Sequence, residues 1–255
     1  MSSNSPLTSL EGRKAVIFDI SFQTAQFRKH LLKLYRDTYL MPLPSAVAGM
    51  AGAIMGIDRQ DLREFSKESE LYAGSRMIGY KGTAEETVTI TKIKPGEVIP
   101  TPKKSVFIIE PKYRLAISFK DDEAASNLYD RITRHEFVYA IYGGNDYHFV
   151  KDVSTPQLGT VTVSKEGYGY CKLENYVGFV PESDQSFVQI DLVNDGSVTK
   201  YAFGLNSKLL LNEPQPVALA PESDKIFLHP VHIFLRGSKE IAKEEEQNAE
   251  RERPL

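Results

Sequence analysis

The stretch Lys14-Ala-Val-Ile-Phe-Asp-Ile20 decides the fold of this chain. It is a short apolar run rich in β-branched residues, which predicts a buried strand. Farther along, Pro42-Leu-Pro-Ser45 predicts a helix start with Ser45 as the N-cap residue. The helix then continues over residues 46–56, so the chain opens with a strand followed by a helix.

Opposite faces of this helix differ in composition. At 100° per residue, the apolar face holds Val47, Met50, Ala51 and Ile54, and the other face holds Ser45, Gly49, Gly52 and Gly56. A glycine inside a helix costs about 1 kcal/mol relative to alanine. Two interior glycines on one face therefore indicate that something approaches the backbone, either another protein segment or a ligand. Gly56 is predicted to end the helix.

The rest of the first 145 residues continues this alternation of strands and helices. The predicted elements are a charged helix (58–69), an extended hairpin (71–94), a loop (94–102), strands (106–109 and 113–119), a helix capped by Asp121-Asp122 that runs to His135, and a strand (137–142) ended by Gly143-Gly144-Asn145. Without the hairpin, this is the β-α-β-β-α-β order of a ferredoxin-like sandwich. We therefore predict an α+β, RRM-like fold with an inserted β-hairpin.

Three regions are predicted along the chain. Residues 1–150 form the ferredoxin-like domain, with the inserted hairpin at about 71–102. Residues 151–237 contain short β-prone runs and are predicted to be a small β-rich subdomain. Residues 238–255 are charged and poor in apolar residues, which predicts a disordered tail.

Composition excludes several classes of protein. The chain has 255 residues, of which 41% are hydrophobic and 25% charged, so it can bury a core. It has no run of 18 apolar residues, which excludes a helical membrane span. The polar start predicts no secretory signal, and the single Cys171 fits a reducing compartment, so we expect a cytoplasmic protein.

Charge is distributed unevenly along the sequence. Residues 1–120 hold 18 Lys+Arg and 12 Asp+Glu, whereas residues 121–255 hold 13 and 22. The basic half is compatible with an anionic ligand, and the acidic half argues against general coating of nucleic acid.

Common catalytic and cofactor motifs are absent from the sequence. There is no phosphate loop, dinucleotide fingerprint, HExxH or G-x-S-x-G motif. His229 and His232 are three apart in a predicted strand and would point to opposite faces, and Cys171 is interpreted as a packed small hydrophobe. We expect no cofactor and no metal.

Cations and aromatic residues alternate densely before the first helix. They occur in Gln26-Phe27-Arg28-Lys29-His30 and Tyr35-Arg36-Asp37-Thr38-Tyr39. Cations neutralise phosphates, and each ring can stack a base for about 1–3 kcal/mol, so the pattern suits single-stranded nucleic acid. Such clusters also cover apolar surface with their stems, which is the structural alternative.

Several of these segments together resemble the CRISPR-associated Cas-five family of the RAMP superfamily. The matching residues are Ala25-x-Phe27-Arg28-Lys29, Tyr39-x-x-Pro42-x-Pro44-Ser45, Gly49-x-x-Gly52-x-Ile54-x-Gly56, Glu110-Pro111-Lys112-Tyr113-Arg114 and Ala140-Ile-Tyr142-Gly143-Gly144-Asn145. They cover roughly residues 14–150 in order, and the resemblance is closest to type I-B members. Residues 150–255 contain no such motif.

The resemblance implies a subunit at one end of a type I CRISPR surveillance complex (Cascade). Such a subunit binds the 5′ handle of the CRISPR RNA, contacts a backbone subunit and the large subunit, and meets target DNA only through the complex. The inserted hairpin would be its thumb. The expected RNA-contacting residues are Arg28, Lys29, His30, Tyr35, Arg36, Tyr39, Ser45, Gly49, Gly52, Arg76 and Lys81.

Two alternatives remain open at the level of sequence. One branch of the family cuts precursor CRISPR RNA without metal, and Lys29 and His30 with Tyr35 or Tyr39 supply suitable acids and bases. The other alternative is a protein scaffold with no RNA role. We expect a non-catalytic RNA-binding subunit.

Overall fold

The computed structural model describes residues 9–29, 35–94, 97–145, 147–180, 187–194, 197–221 and 224–235. The predicted tail at 238–255 and His30 lie outside these residues. The described α-helices are α1 (Pro44–Met55), α2 (Leu62–Glu68) and α3 (Asp122–Arg134), and Leu173–Asn175 and Val231–Phe234 form short 3₁₀ turns.

Most of the described chain is extended. The strands are β1 (Lys14–Phe22), β2 (Thr24–Ala25), β3 (Phe27–Arg28), β4 (Tyr35–Arg36), β5 (Thr38–Tyr39), β6 (Tyr72–Gly79), β7 (Gly82–Lys94), β8 (Glu97–Ile109), β9 (Lys112–Ser118), β10 (Val150–Val153), β11 (Gln157–Gly167), β12 (Tyr170–Lys172), β13 (Tyr176–Phe179), β14 (Phe187–Asn194), β15 (Ser197–Gly204), β16 (Leu209–Leu219), β17 (Ile226–Phe227) and β18 (His229–Pro230). The predicted α+β class is confirmed, as a fold dominated by strands.

A nine-stranded antiparallel sheet forms the centre of the protein. Its order is β13-β16-β11-β1-β9-β6-β18, with β10 also paired to β1 and β17 to β16. Strands from residues 1–150 and from residues 151–237 share this sheet. A separate three-stranded sheet has the order β12-β15-β14.

Alternation along β1 divides the core into two layers. Val16, Phe18 and Ile20 face the main core, which also contains residues of α1 and α3. Ala15 and Ile17 face a second, smaller core on the other side of the sheet. Successive side chains of a strand point to opposite faces, so the apolar run over residues 15–18 is covered on both sides of the sheet.

The helix at 44–55 begins earlier than the sequence indicated. Leu43 is its N-cap residue and Pro44 occupies the first turn, so the prediction of Ser45 as N-cap was wrong. Proline favours the first helical position, because its fixed φ suits the helix and its missing N–H is not needed there. The predicted apolar face is confirmed, since Val47 and Ile54 are fully buried. Gly56 ends the helix with φ +83°, as predicted.

The strand predicted at 137–142 is absent. Its backbone instead runs along the end of α1, where the N–H of Val138 donates to Ile54 O at 3.4 Å and that of Tyr139 to Ala53 O at 2.9 Å. The last carbonyl groups of a helix have no hydrogen-bond partner within the helix. They accept the N–H groups of this segment, which are then not available to pair with a strand. The helix before this segment is confirmed, because the Asp121 side chain caps the N-terminus of α3.

The long hairpin consists of β7 and β8, paired without interruption from Gly82↔Ile109 to Lys94↔Glu97. We predicted the hairpin at 71–94 and a loop at 94–102. Residues 72–79 instead pair with β9 in the central sheet, and most of the predicted loop belongs to β8. Pro100 and Pro102 are two residues apart, so both lack the N–H on the same side of the strand, and a strand with an open edge tolerates this. None of the described helices is long and apolar enough to cross a membrane.

Candidate nucleic-acid interface

The basic and aromatic segment before α1 folds onto the base of the hairpin. β2 pairs antiparallel with the end of β8, and β4 pairs parallel with its middle, at Tyr35↔Lys104 and Arg36↔Ser105. In a separate two-stranded sheet, β3 and β5 pair antiparallel through Phe27↔Tyr39 and Arg28↔Thr38. We call this two-stranded unit the β3–β5 ribbon. Arg28 therefore lies on the ribbon and Arg36 on a strand of the hairpin sheet, and the N–H of Lys29, which donates to Asp37 O at 3.0 Å, holds the two segments together.

Gln26 holds these strands together. Its side chain is 2% exposed, and its Nε2 donates to Ser105 Oγ and Val106 O, both at 2.7 Å, and to Arg36 O at 3.3 Å. Its Oε1 accepts a hydrogen bond from Asn145 Nδ2. Sequence reasoning gave Gln26 no role, because a buried glutamine inside a polar stretch has no recognisable signal.

The Gly143-Gly144-Asn145 segment completes this arrangement. The N–H of Gln26 donates to Gly143 O at 2.7 Å. Gly144 has φ +101°, and a Cβ there would overlap the carbonyl oxygen of Gln26. Only glycine allows both that conformation and that approach. Gln26 and Asn145, which are 119 residues apart in the sequence, therefore meet at one buried amide.

Arg28 and Arg36 are cations of this surface whose charge no acidic side chain among the described residues compensates. Neither guanidinium makes an ion pair or hydrogen bond within the part of the chain that the structure describes. Arg28 is exposed, and Arg36 is half-buried with its Nε inaccessible to solvent and without a protein partner. A guanidinium that lacks a carboxylate partner can bind phosphate through several N–H groups.

Tyr35 belongs to a small polar cluster on the hairpin. Its hydroxyl donates to Glu85 Oε2 at 3.2 Å, and Lys104 Nζ lies 2.7 Å from Glu85 Oε1. Partial desolvation and the bond to Glu85 raise the pKa of Tyr35, and the same carboxylate raises the pKa of Lys104. Tyr35 therefore stays protonated and Lys104 stays charged at neutral pH. Lys104 was missed in the sequence, although Lys103-Lys104 just before a strand was a usable signal.

The other candidates of this segment are less accessible. Lys29 Nζ lies 2.5 Å from Asp37 Oδ2, so its charge is already compensated. Tyr39 is 5% exposed and belongs to the main core, which leaves its ring little surface for stacking a base. His30 lies outside the described residues.

The glycine face of α1 is partly filled by protein. A Cβ on Gly52 would lie 3.1 Å from Leu62 Cδ1, so α2 occupies that position. A Cβ on Gly49 would meet nothing within 4 Å, and Ser45 is half-exposed in the first turn. Of the two explanations for the glycines, a protein segment accounts for Gly52, and Gly49 remains open to a ligand.

Arg76 and Lys81 lie apart from the β3–β5 ribbon. On β6, Ala73 and Met77 face the main core, so Arg76 points to the opposite side of the sheet. There its guanidinium lies 3.6 Å from the centre of the Tyr168 ring and pairs with Asp224. Lys81 is exposed at the start of the hairpin, with its Nζ 2.6 Å from Glu110 Oε1.

Buried titratable groups elsewhere have structural surroundings. His229 donates through Nε2 to Tyr170 O at 2.7 Å, and burial lowers its pKa to about 4. Burial raises the pKa of the Cys171 thiol to about 12. Within the described ranges, no group of three or more His, Cys, Asp or Glu side chains is placed to hold a metal ion.

The site defines a sheet-rich α+β protein with a basic ribbon at the base of a long hairpin. Residues 15–99, about a third of the chain, match the family model described as CRISPR-associated protein (Cas_Cas5). The resemblance found in the sequence is thereby confirmed, and this part of the chain carries the sequence pattern of the Cas5 family. Curated proteins give no match.

Solved structures with similar backbones were also found. One is described as "CRISPR RNA-guided surveillance complex", with 13% identity, a TM-score of 0.44 and coverage of 82% of this chain and 95% of that one. Another is described as "Crystal structure of Cas protein", with 16% identity, a TM-score of 0.35 and coverage of 61% and 84%. A third comes from "Cryo-EM structure of the Type III-B Cmr-beta bound to cognate target RNA and AMPPnP, state 1", with 12% identity, a TM-score of 0.42 and coverage of 78% and 86%. At TM-scores below 0.5, nothing about the function of this chain follows from them.

Proposed function

We propose that this protein is a non-catalytic, RNA-binding subunit of a type I CRISPR surveillance complex (Cascade). In this proposal it binds the 5′ handle of the CRISPR RNA and joins the backbone subunits to the large subunit. It works in the cytoplasm and meets target DNA only through the complex.

One observation carries the proposal. Arg28 on β3 and Arg36 on β4 lie close together, since the N–H of Lys29 donates to Asp37 O at 3.0 Å, and neither arginine has an acidic partner among the described residues. RNA phosphates are the ligands that such guanidinium groups favour. The family match over residues 15–99 includes both arginines, and it supports the choice of CRISPR RNA as the proposed ligand.

The order of the central strands supports an RRM-like, ferredoxin-like core. β10 pairs with β1, β1 with β9, and β9 with β6, all antiparallel. If β1, β6, β9 and β10 are the four strands of the core, their order in the sheet is fourth, first, third, second. α1 follows the first strand and α3 the third, as the β-α-β-β-α-β arrangement requires. β10 would then replace the strand predicted at 137–142.

Binding to handle RNA tests the proposal. Purified protein should bind a CRISPR RNA with an intact 5′ handle more tightly than the same RNA with a scrambled handle. Arg28→Ala should weaken binding about tenfold and reduce the salt slope by about 0.7. Arg63→Ala, an exposed arginine on α2, is the matched control and should have little effect. Equal affinity for both RNAs, or equal effects of the two substitutions, would refute the proposal.

We propose that the subunit binds RNA without cutting it. The raised pKa of Tyr35 makes this hydroxyl a poorer base at neutral pH, and Tyr39 is buried, so neither tyrosine is well suited to activate a 2′-hydroxyl. Repeat RNA incubated with the protein in EDTA should stay intact on a denaturing gel. Cleavage that is lost in His30→Ala would establish the endoribonuclease alternative instead.

A further inference from the structure

A cleft of about 320 Å³ separates the β3–β5 ribbon from strand β14. Lys29 and residues 38–40 line one side of the cleft, and residues 188–191 line the other. Phe203 also borders it. The two sides are about 150 residues apart in the sequence, so the cleft exists only in the folded chain.

The side formed by β14 is the edge of a strand. Successive side chains of a strand point to opposite faces, so four consecutive residues can border one cleft only along the backbone edge. The other edge of β14 is fully paired with β15, from Phe187↔Gly204 to Asn194↔Ser197. β14 is the last strand of its sheet, and within the described part of the chain no strand pairs with its second edge. Its outward N–H and C=O groups therefore face the cleft.

The surroundings fix this edge in place. Ile190 and Leu192 are buried in the main core, so β14 is anchored along one face. Gln189 and Asp191 are exposed on the other face. An anchored edge with open backbone groups can accept a further strand without rearrangement.

Charge distinguishes the possible occupants. Lys29 is paired with Asp37, and Asp191 makes no ion pair within the described residues. These three groups sum to one negative charge, which disfavours the phosphates of a nucleic acid at this cleft. A peptide supplies backbone groups for the edge, apolar side chains for the walls near Tyr39 and Phe203, and a basic residue for Asp191.

We propose that the β14 edge binds an extended segment of a partner protein by strand addition. The bound segment alternates apolar residues with polar ones and places one Lys or Arg beside Asp191. Residues 188–191 offer about 13 Å of edge at about 3.3 Å per residue. The cleft adjoins the β3–β5 ribbon that carries Arg28, but the inference does not depend on whether the protein binds CRISPR RNA.

A randomised octapeptide library identifies the occupant without assuming its source. The full chain selects peptides from the library, and hydrogen–deuterium exchange locates each enriched peptide on the protein. We expect enriched peptides with alternating apolar residues and one Lys or Arg. At saturation they should slow exchange of the alternate amides in 188–191 that point away from β15, at least about tenfold.

Charge reversal separates specific docking from general stickiness. Asp191→Lys should weaken the enriched peptides about tenfold, because an attraction becomes a repulsion. The same substitution at the exposed Asp130 of α3 is the matched control and should change nothing. Replacing the basic residue of the peptide with Glu should restore binding to Asp191→Lys.

Four results would overturn the inference. They are an absence of enriched peptides, protection at a different strand, slow exchange in the free protein of the amides in 188–191 that point away from β15, and protection of these outward amides by single-stranded RNA instead of peptide. The third result would mean that the chain fills its own cleft, and the fourth would make the cleft part of the RNA site.

Discussion

Replacing Gln26 with Ala should destabilise the protein by about 3 kcal/mol. The buried amide donates to Ser105 Oγ, Val106 O and Arg36 O and accepts from Asn145. Its two N–H groups are shared among three acceptors and its Oε1 accepts one further hydrogen bond, so the substitution removes about three hydrogen bonds, at about 1 kcal/mol each. The abandoned acceptors stay buried, because the strands that carry them are held by their own pairing, and this prevents water from compensating the loss.

Urea unfolding followed by circular dichroism measures this effect. If the free energy of unfolding falls by about 3 kcal/mol per molar urea, a loss of about 3 kcal/mol lowers the urea midpoint by about 1 M. Gln23→Ala is the matched control: Gln23 is exposed, and the structure shows only its backbone carbonyl in use, with Glu110 N at 2.8 Å. Its midpoint should change by less than about 0.2 M.

Gln26→Glu separates hydrogen bonding from packing. The carboxylate has nearly the same shape but cannot donate when ionised, and it would face two carbonyl oxygens in a buried site. We expect it to destabilise at least as much as Gln26→Ala. If Gln26→Ala and Gln23→Ala have equal midpoints, Gln26 does not hold the hairpin base, and this account of the site is wrong.

Three further predictions concern other buried positions. Gly74→Ala should prevent stable folding, because a Cβ there would overlap the carbonyl oxygen of Phe227 in β17. Gly79→Ala in the same strand should be tolerated, because a Cβ there meets nothing within 4 Å. The yield of soluble protein with a folded circular dichroism spectrum checks both expectations. The folded-state pKa of His229, about 4, lies below its ordinary value of about 6.5, so the contribution of this buried neutral ring to the free energy of unfolding is fully present above pH 6.5. This contribution falls by up to about 3 kcal/mol as the pH drops toward 4. His229→Gln should therefore flatten the acid side of a curve of unfolding free energy against pH, whereas the control His232→Gln, at an exposed position, should not. The thiol of Cys171, with its pKa raised to about 12 by burial, should resist a thiol-specific reagent in the native protein and react after urea unfolding; rapid modification of folded protein would contradict its burial.

Local patterns in the sequence were enough to predict those features that depend on residues only a few positions apart. The apolar face of α1, the capping of α3 by Asp121 and the buried run of β1 all follow from periodicity and from hydrogen bonds between near neighbours. The same local rules failed at 137–142. There the residues are strand-like, but the C-terminal carbonyls of α1 accept their backbone hydrogen bonds.

The candidate site was only partly accessible to sequence reasoning. The density of cations marked Arg28 and Arg36, and the structure places both beside the base of the hairpin. The family resemblance grouped Arg76 with them, although Arg76 faces the opposite side of the central sheet and pairs with Asp224. The side of a sheet on which a residue lies depends on register with distant strands, and composition carries no information about register.

The sequence by itself determined that this chain is a strand-rich α+β protein with a basic, aromatic segment before its first long helix, because hydrophobic period and charge density are properties of neighbouring residues. Only the tertiary structure decided which cations remain unpaired, that Gln26 joins four segments, and that β14 presents an open edge across a cleft from the β3–β5 ribbon. Each of these depends on contacts between residues far apart in the chain. Such contacts are fixed by the packing of the whole core, and no local stretch encodes them.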